Sequence, residues 1–181
     1  MALKTGICLL SDPFMLDPNF RRAVILICDH QKEGSVGFIL NKPISMSIDS
    51  LVSSFPEFDS EVYYGGPMQT DTIHYIHTKG DLLEGSIEVL PGIYWGGDFT
   101  QLKTLIENKL ITTNDIRFFV GYSGWSEGQL KAEMDIFSWL IADCDPNYIF
   151  STENDTLWKT ALENEGDTYS VIGQMALPVW N

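Results

Sequence analysis

The chain has 181 residues, of which 44% are hydrophobic and 20% charged, a composition typical of a globular protein and not of a disordered or collagen-like one. Its 11 Lys and Arg residues against 25 Asp and Glu residues give a formal net charge of −14. Because this charge repels nucleic-acid phosphates and anionic lipids, we expect no direct nucleic-acid binding and no membrane binding. A chain of this length is expected to form a single domain over residues 1–181.

The sequence shows none of the usual signals for export or membrane insertion. The first residues lack a basic region followed by an apolar stretch and a cleavage site, so no secretory signal is predicted. The longest apolar runs, such as Ala23 to Cys28, are far shorter than the ~20 residues of a membrane span. The cysteines Cys8, Cys28 and Cys144 are odd in number and widely spaced, which does not suggest a disulfide framework. We therefore expect a cytoplasmic protein with reduced thiols.

Apolar segments predict strands in the first half of the chain. Gly6 to Leu10, Ala23 to Cys28 and Val36 to Leu40 are short, apolar and bounded by turn residues, as buried strands are. The polar loop from His30 to Gly34 predicts that the second and third of these form a hairpin. Thr70 to Thr78 alternates between apolar and polar residues and predicts a fourth strand.

Capping residues predict three helices later in the chain. Asp98 precedes a segment with apolar residues at helical spacing, which predicts a helix that begins there. Ser126 and Gln129 form a second capping pattern and predict a short helix. A third helix is predicted from about Asp155 to Glu165, with its end at Gly166.

Two further apolar segments, Ile116 to Val120 and Trp139 to Ala142, predict strands between these helices. Strands are therefore concentrated early in the chain and helices late, without a regular alternation of the two. This order favours an α+β fold over a doubly wound parallel sheet.

The segment Gly121-Tyr-Ser-Gly-Trp125 is the strongest local candidate for catalysis. It is predicted to form a turn between a strand and a helix, which is where α/β-hydrolases carry their nucleophilic serine. However, Trp125 replaces the second glycine of the Gly-x-Ser-x-Gly motif, and no histidine follows Ser123 in the chain. Because a serine without a base is a poor nucleophile, we expect Ser123 to be structural and hydrogen-bonded within the turn. A hydrolase that uses Ser123 or His77 remains the alternative.

The sequence offers no metal-binding or nucleotide-binding motif. His74 and His77 lie on a predicted strand and so point to opposite faces, whereas a zinc site needs at least three protein ligands. None of the glycine-rich loops matches the dinucleotide-binding or P-loop pattern. We therefore expect neither a bound metal nor a cofactor.

Four sequence blocks along nearly the whole chain are distinctive when taken together. They are Asp17-Pro-Asn-Phe-Arg-Arg-Ala-Val-Ile-Leu-Ile-Cys-Asp-His30, Val36-Gly-Phe-Ile-Leu-Asn-Lys-Pro43, Gly65-Gly-Pro67 and Gly121-Tyr-Ser-Gly-Trp-Ser-Glu-Gly-Gln-Leu-Lys-Ala-Glu133. With His77, Trp139 and Trp158, these blocks resemble the YqgE/AlgH family of bacterial proteins. Two features depart from the family pattern: Lys131, where a glutamate is expected, and the C-terminal tail through Trp180.

The resemblance implies an α+β fold in which helices surround a branched, partly barrel-like mixed β-sheet. It supplies no established enzyme activity, cofactor or catalytic residue. Some members of the family are described as transcriptional regulators, and the resemblance extends that alternative to this chain. The net charge of −14 makes direct DNA contact an awkward mechanism, so regulation would act through a protein partner.

We interpret the chain as a non-catalytic binding or regulatory protein that acts through a protein or small-molecule partner. Loops that combine glycine, amide and aromatic groups suit recognition. Eight such residues are expected to line one groove: Asn41, Pro43, Gly65, Gly66, Tyr122, Ser123, Trp125 and Gln129. This hypothesis requires Gly65-Gly66-Pro67 to lie close to the predicted turn from Gly121 to Gly128.

Overall fold

The computed structural model describes residues 1–136 and 138–166. In this part of the chain the strands are β1 (Ile7–Ser11), β2 (Val24–Gln31), β3 (Gly34–Ile39), β4 (Pro43–Ser47), β5 (Glu61–Tyr64), β6 (Met68–His77), β7 (Ile87–Leu90), β8 (Ile93–Trp95), β9 (Ile116–Ser126) and β10 (Trp139–Asp143). The helices are α1 (Ile48–Leu51), α2 (Phe99–Glu107), α3 (Gln129–Asp135), α4 (Pro146–Ile149) and α5 (Leu157–Glu163). The expected α+β class is confirmed.

The strands form one branched sheet in the order β10-β1-β2-β3-β9-β6-β8-β7, with β4 and β5 off this path. The branch arises on β9, whose two halves pair with different strands along the same edge. Its first half pairs in parallel with β5, from Phe118 to Val120, and its second half pairs antiparallel with β3, from Ser123 to Ser126. The other edge of β9 pairs antiparallel with β6.

The sheet curls around one of its apolar faces. A single core cluster takes Ala142 from β10, Cys8 from β1 and Val89 from β7, and the buried Trp158 of α5 packs in the same cluster. The two ends of the sheet path also approach each other, because a Cβ on Gly6 would lie only 2.5 Å from Val89 O. The sheet is therefore partly barrel-like, as the family resemblance implies.

Local sequence signals account for several elements. The β2–β3 hairpin forms as predicted. Asp98 is the N-cap of α2, since its Oδ1 accepts a hydrogen bond from Gln101 N at 2.8 Å. Gln129 Oε1 accepts a hydrogen bond from Ser126 N at 3.0 Å, although the N-cap position of α3 is Gly128. None of the helices in the described ranges is long and apolar enough to span a membrane.

The predicted turn around Ser123 is wrong. Residues 121–126 continue strand β9, which runs without a break from Ile116 to Ser126. Gly121 has φ of +68° and lies where the pairing of β9 with β6 shifts its register, so it bends the strand without ending it. The strand–turn–helix setting of a nucleophilic serine is therefore absent at Ser123.

Candidate functional site

A pocket of about 600 Å³ lies where the turn end of the β2–β3 hairpin meets the second half of β9 and the first residue of β6. We call it the β3–β9 groove. Strand pairing builds it, because Val36 lies opposite Gly124 and Met68 lies opposite Tyr122. The lining residues are Asp29, Gln31, Glu33, Gly34, Ser35, Val36, Met68, Tyr122, Gly124, Trp125, Ser126 and Gln129.

Gly124 creates space on the apolar side of the groove. A Cβ at this position would lie 3.1 Å from Tyr122 Cε2 and 3.6 Å from Met68 Cγ. The absence of a side chain therefore lets the Tyr122 ring and Met68 lie over the strand. Met68 is 46% exposed, which is unusual for a large apolar side chain on a strand. The groove thus presents an aromatic ring and a flexible thioether to a ligand.

The charged side chains that line the groove are both acidic. Asp29 lies near the end of β2 and Glu33 in the β2–β3 turn, and no Lys, Arg or His is among the described residues that line the pocket. Asp29 Oδ1 also accepts a hydrogen bond from Gln31 Nε2 at 3.0 Å. The arrangement favours a ligand that combines a positive charge with an apolar group.

Three of the eight residues predicted for the site line this groove: Tyr122, Trp125 and Gln129. Trp125 contributes little side-chain surface, since it is 6% exposed and packs edge-to-face against Trp139 with 6.1 Å between ring centroids. Gln129 is exposed at the start of α3, where its side chain accepts a hydrogen bond from Ser126 N.

Asn41 and Pro43 do not line the groove. Asn41 Oδ1 accepts a hydrogen bond from Val24 N at 3.1 Å, and its Nδ2 donates to Arg22 O at 2.8 Å. Asn41 therefore secures the chain after β3 against the start of β2. Pro43 is exposed on β4, in register with Tyr63 of β5.

Gly65 and Gly66 lie next to β9, as predicted, but they pack against its backbone and do not line the groove. Gly65 N donates to Val120 O at 2.8 Å, and Ser123 Oγ donates to Gly65 O at 3.0 Å. A Cβ on Gly66 would lie 2.3 Å from Tyr122 C. These glycines permit a close approach of two backbone segments. The eight predicted residues therefore do not form one groove.

Ser123 has the surroundings of a structural residue. Its side chain is fully buried, and its hydroxyl proton is directed at Gly65 O. Within residues 1–136 and 138–166, Ser123 Oγ forms no hydrogen bond with a histidine or a carboxylate. The hydroxyl therefore has neither a base nor access to a substrate in this conformation.

His77 is also held in a structural role by its hydrogen bonds. Its Nδ1 accepts from Lys79 N at 3.1 Å, so the ring proton lies on Nε2, which donates to Gly96 O at 2.8 Å. Burial lowers the pKa of His77 below its usual value, while the hydrogen bond to Gly96 acts in the opposite direction. Ser86 Oγ lies 3.2 Å from Nε2, yet a protonated Nε2 cannot accept its proton.

His30 and Ser35 form a closer histidine–serine pair, which no sequence motif indicated. His30 Nδ1 lies 2.6 Å from Ser35 Oγ, across the β2–β3 hairpin. Ser35 is buried but lines the groove, whereas His30 is half-buried and does not. Among the described residues that line the groove, Ser35 is the serine whose hydroxyl contacts an imidazole, and His30 Nδ1 can accept the hydroxyl proton.

Other reactive groups contribute little to the groove. Burial raises the pKa of both Cys8 and Cys28 well above the usual value, so these thiols stay protonated and unreactive. No group of three or more potential metal ligands occurs within the described ranges.

Several groove residues were missed by sequence analysis, among them Asp29, Glu33 and Met68. The predicted hairpin was the one available signal for the first two, because it places them near its turn. Met68 joins them through the pairing of β6 and β3 with opposite edges of β9, a contact between distant parts of the chain that no local pattern reveals.

Comparisons with known proteins agree on one family. The sequence model of the DUF179 family, described as AlgH-like, matches residues 8–170. The chain is 45% identical over 170 residues to a UPF0301 protein of Chlorobaculum tepidum, covering 94% of this chain and 91% of that protein. It is 36% identical over 171 residues to a UPF0301 protein of Cytophaga hutchinsonii, covering 94% of each.

Two solved structures share the fold. The solution structure of the AlgH protein from Pseudomonas aeruginosa is 25% identical and aligns with a TM-score of 0.74, covering 97% of this chain and 98% of that one. The crystal structure of protein DIP2367 from Corynebacterium diphtheriae aligns with a TM-score of 0.79 at 18% identity, covering 97% and 94% of the two chains.

Proposed function

The chain belongs to the AlgH-like family, and within that family we propose that it is a non-catalytic binding protein whose β3–β9 groove holds a basic segment of a protein partner. The observation that carries this proposal is the composition of the groove. Exposed Met68 and the Tyr122 ring supply apolar contact, while Asp29 and Glu33 supply negative charge, and neither carboxylate forms an ion pair with another described residue. A lysine or arginine with an adjacent apolar side chain complements this surface.

The charge of the whole molecule supports the same partner. A net charge of −14 attracts cationic surfaces and accelerates their encounter with the groove. It also opposes the transcription-factor alternative, since sequence-specific DNA binding requires several phosphate contacts from Lys or Arg on one face. The proposal includes a cytoplasmic location. It also includes a regulatory role, which the protein would exert through the partner bound in the groove.

Quantitative affinity capture from a native cell extract tests the proposal. The double variant Asp29→Asn with Glu33→Gln removes the two negative charges of the groove while keeping the size of the side chains. Asp59→Asn with Glu61→Gln makes the same charge change at exposed positions outside the groove and is the matched control. We expect the groove variant to lose at least about tenfold in recovery of a basic partner, equivalent to about 1.4 kcal/mol.

The control variant should retain that partner, and added salt should weaken capture by the unmodified protein. Equal recovery by both variants would contradict the proposal, because the effect would then come from net charge alone. Capture of partners without a basic segment would also contradict it.

One observation favours a second candidate, a serine hydrolase that uses Ser35 in place of Ser123 or His77. The 2.6 Å contact between Ser35 Oγ and His30 Nδ1 is the geometry by which an imidazole activates a hydroxyl. No third group orients the His30 ring through Nε2 within the described residues, which leaves the pair without the usual support. Labelling by a fluorophosphonate probe that is lost in Ser35→Ala and in His30→Gln would favour the hydrolase over the binding protein.

A further inference from the structure

A second pocket, of about 200 Å³, lies outside the β3–β9 groove and contains a buried arginine. It is formed by the start of β5, the start of β9 and the loops before β9 and after α4. The pocket has room for roughly seven water molecules at about 30 Å³ each, the volume of a small organic molecule. The lining residues are Asp59, Ser60, Glu61, Tyr63, Thr113, Asn114, Ile116, Arg117, Phe150 and Thr152.

Arg117 is the most unusual of these residues, because it is a charged side chain that is only 8% exposed. Its Nη1 donates to Ser151 O at 2.9 Å and to Leu40 O at 3.5 Å, and its Cζ lies 3.9 Å from the centre of the Tyr63 ring. These contacts fix the plane of the guanidinium at the pocket wall.

The described residues leave part of the guanidinium without a protein partner. Within residues 1–136 and 138–166, no carboxylate oxygen lies within 4.0 Å of Arg117, and the ion pair found there joins Lys159 and Glu163. Arg117 Nε and Nη2 donate no hydrogen bond to any of these residues. The negative charge of Glu61 acts favourably on Arg117 from beyond this distance, so the cation is compensated without direct contact. The open donors of the guanidinium can therefore still take a carboxylate at hydrogen-bond distance.

The remaining polar groups define the rest of that ligand. Asp59 and Glu61 are exposed residues that line the pocket, and a simple anion would be repelled by both. The side chains of Thr113, Asn114 and Thr152 also line it and form no hydrogen bond within the described part of the chain. The pocket therefore combines a fixed cation, two carboxylates and several neutral donors and acceptors in a small volume.

We infer that this pocket binds a free α-amino acid. The carboxylate of the ligand pairs with the guanidinium of Arg117, and the ammonium group pairs with Asp59 or Glu61 at the exposed side. A zwitterion is the ligand class that satisfies both charges of the site within about 200 Å³. This inference does not depend on the β3–β9 groove, since no residue is shared between the two sites.

Ligand-observed NMR with the twenty amino acids in small pools, followed by calorimetry of those that bind, tests the inference. Propionate and ethylamine serve as the two half-ligands, because each keeps one of the two charges of L-alanine. We expect at least one amino acid to bind with a Kd below about 10 mM, and both half-ligands to bind at least about tenfold more weakly than that amino acid. Propionate binding as tightly as the amino acid would overturn the inference in favour of a simple anion site.

Two variants separate the roles of the charges. Arg117→Lys keeps the charge but loses the planar set of donors, and we expect the affinity for the amino acid to fall at least about tenfold. Arg117 also donates hydrogen bonds to Leu40 O and Ser151 O, so its substitution can destabilise the protein. The exposed pair Asp59→Asn with Glu61→Gln therefore provides a second test that leaves the buried residue unchanged. This pair should weaken amino-acid binding and leave propionate binding unchanged or tighter.

The variant Asp29→Asn with Glu33→Gln in the groove makes the same charge change and should leave amino-acid binding unaltered. Amino-acid binding that is equal in the unmodified protein and in the Asp59/Glu61 variant would overturn the inference. So would the failure of all twenty amino acids to bind. Neither result would affect the groove proposal, because its test measures capture of a protein partner, which the Asp29/Glu33 variant should lose and the Asp59/Glu61 variant should keep.

Discussion

Ser123 shows how one hydroxyl can link two backbone segments without taking part in chemistry. Its Oγ donates to Gly65 O at 3.0 Å, and the same carbonyl accepts from Ile39 N at 3.0 Å. Because Gly65 O keeps the second partner, Ser123→Ala should cost only about 1 kcal/mol of unfolding free energy. Chemical denaturation measures this loss, with the exposed Ser54→Ala as a control expected to change stability by less than about 0.5 kcal/mol.

The unmodified protein should also remain unlabelled by a fluorophosphonate probe at Ser123. Stoichiometric labelling there would contradict a structural role, as would a Ser123→Ala variant that keeps its full stability but loses an enzymatic activity.

His77 gives the folded protein a defined dependence on pH. Burial lowers its pKa below the ordinary value of 6.5, so the unfolded chain binds the proton more readily than the folded one. The stability that comes from the neutral ring is therefore complete above about pH 6.5 and is lost as the pH falls toward the lower folded-state pKa.

Unfolding free energies measured between about pH 7.5 and pH 5 should fall more steeply for the unmodified protein than for His77→Gln. Comparing the two proteins removes the contribution of the many carboxylates, which both share. Parallel curves would show that His77 has the same proton affinity in the folded and unfolded states.

At the scale of the element, β9 is the strand on which both the branch of the sheet and the groove depend. Gly121 bends it and also contacts the Gly65–Gly66 segment, since a Cβ there would lie 2.4 Å from Gly66 O and 2.9 Å from Met68 O. Its φ of +68° belongs to the left-handed region that favours glycine. Any side chain at this position meets two penalties, one from the backbone conformation and one from crowding.

The pair Gly121→Ala and Gly92→Ala separates these penalties. Gly92 has a similar φ of +78°, but nothing lies within 4 Å of a Cβ built on it. We expect Gly92→Ala to cost about 1–2 kcal/mol from backbone conformation alone. Gly121→Ala should cost about 1–3 kcal/mol more because the strand must shift away from Gly66. Equal losses in thermal or chemical unfolding would show that the contact with Gly66 contributes nothing.

Elements that depend on near neighbours were predictable from the sequence, and those that depend on distant pairing were not. The cap of α2 at Asp98 requires only a contact with Gln101, three residues along the chain, and the sequence predicted it correctly. The apolar run from Ile116 also predicted the first half of β9. Its continuation through Ser123 requires pairing with β3, which lies about 90 residues earlier, so the glycines were misread as a turn.

For the whole molecule, the family resemblance predicted the branched α+β architecture, but not which surfaces it exposes. Gly65, Gly66 and Ser123 were chosen because their residue types suit a recognition loop, yet they pack between strands. Asp29 and Met68 have no distinctive local pattern, and they line one groove because β2 pairs with β3 while β3 and β6 pair with opposite edges of β9. A site assembled by strand pairing depends on topology more than on motif.

Site-specific photo-crosslinking in living cells tests the central claim, that the β3–β9 groove holds a basic segment of a protein partner, most directly. A benzophenone amino acid replaces Met68 in the groove, and a control protein carries it at Leu110, which is 51% exposed and outside the groove. The account predicts a crosslink from position 68 that is absent from position 110, to a partner segment containing Lys or Arg beside an apolar residue. Equal crosslinking at both positions, or a segment without basic residues, would contradict it.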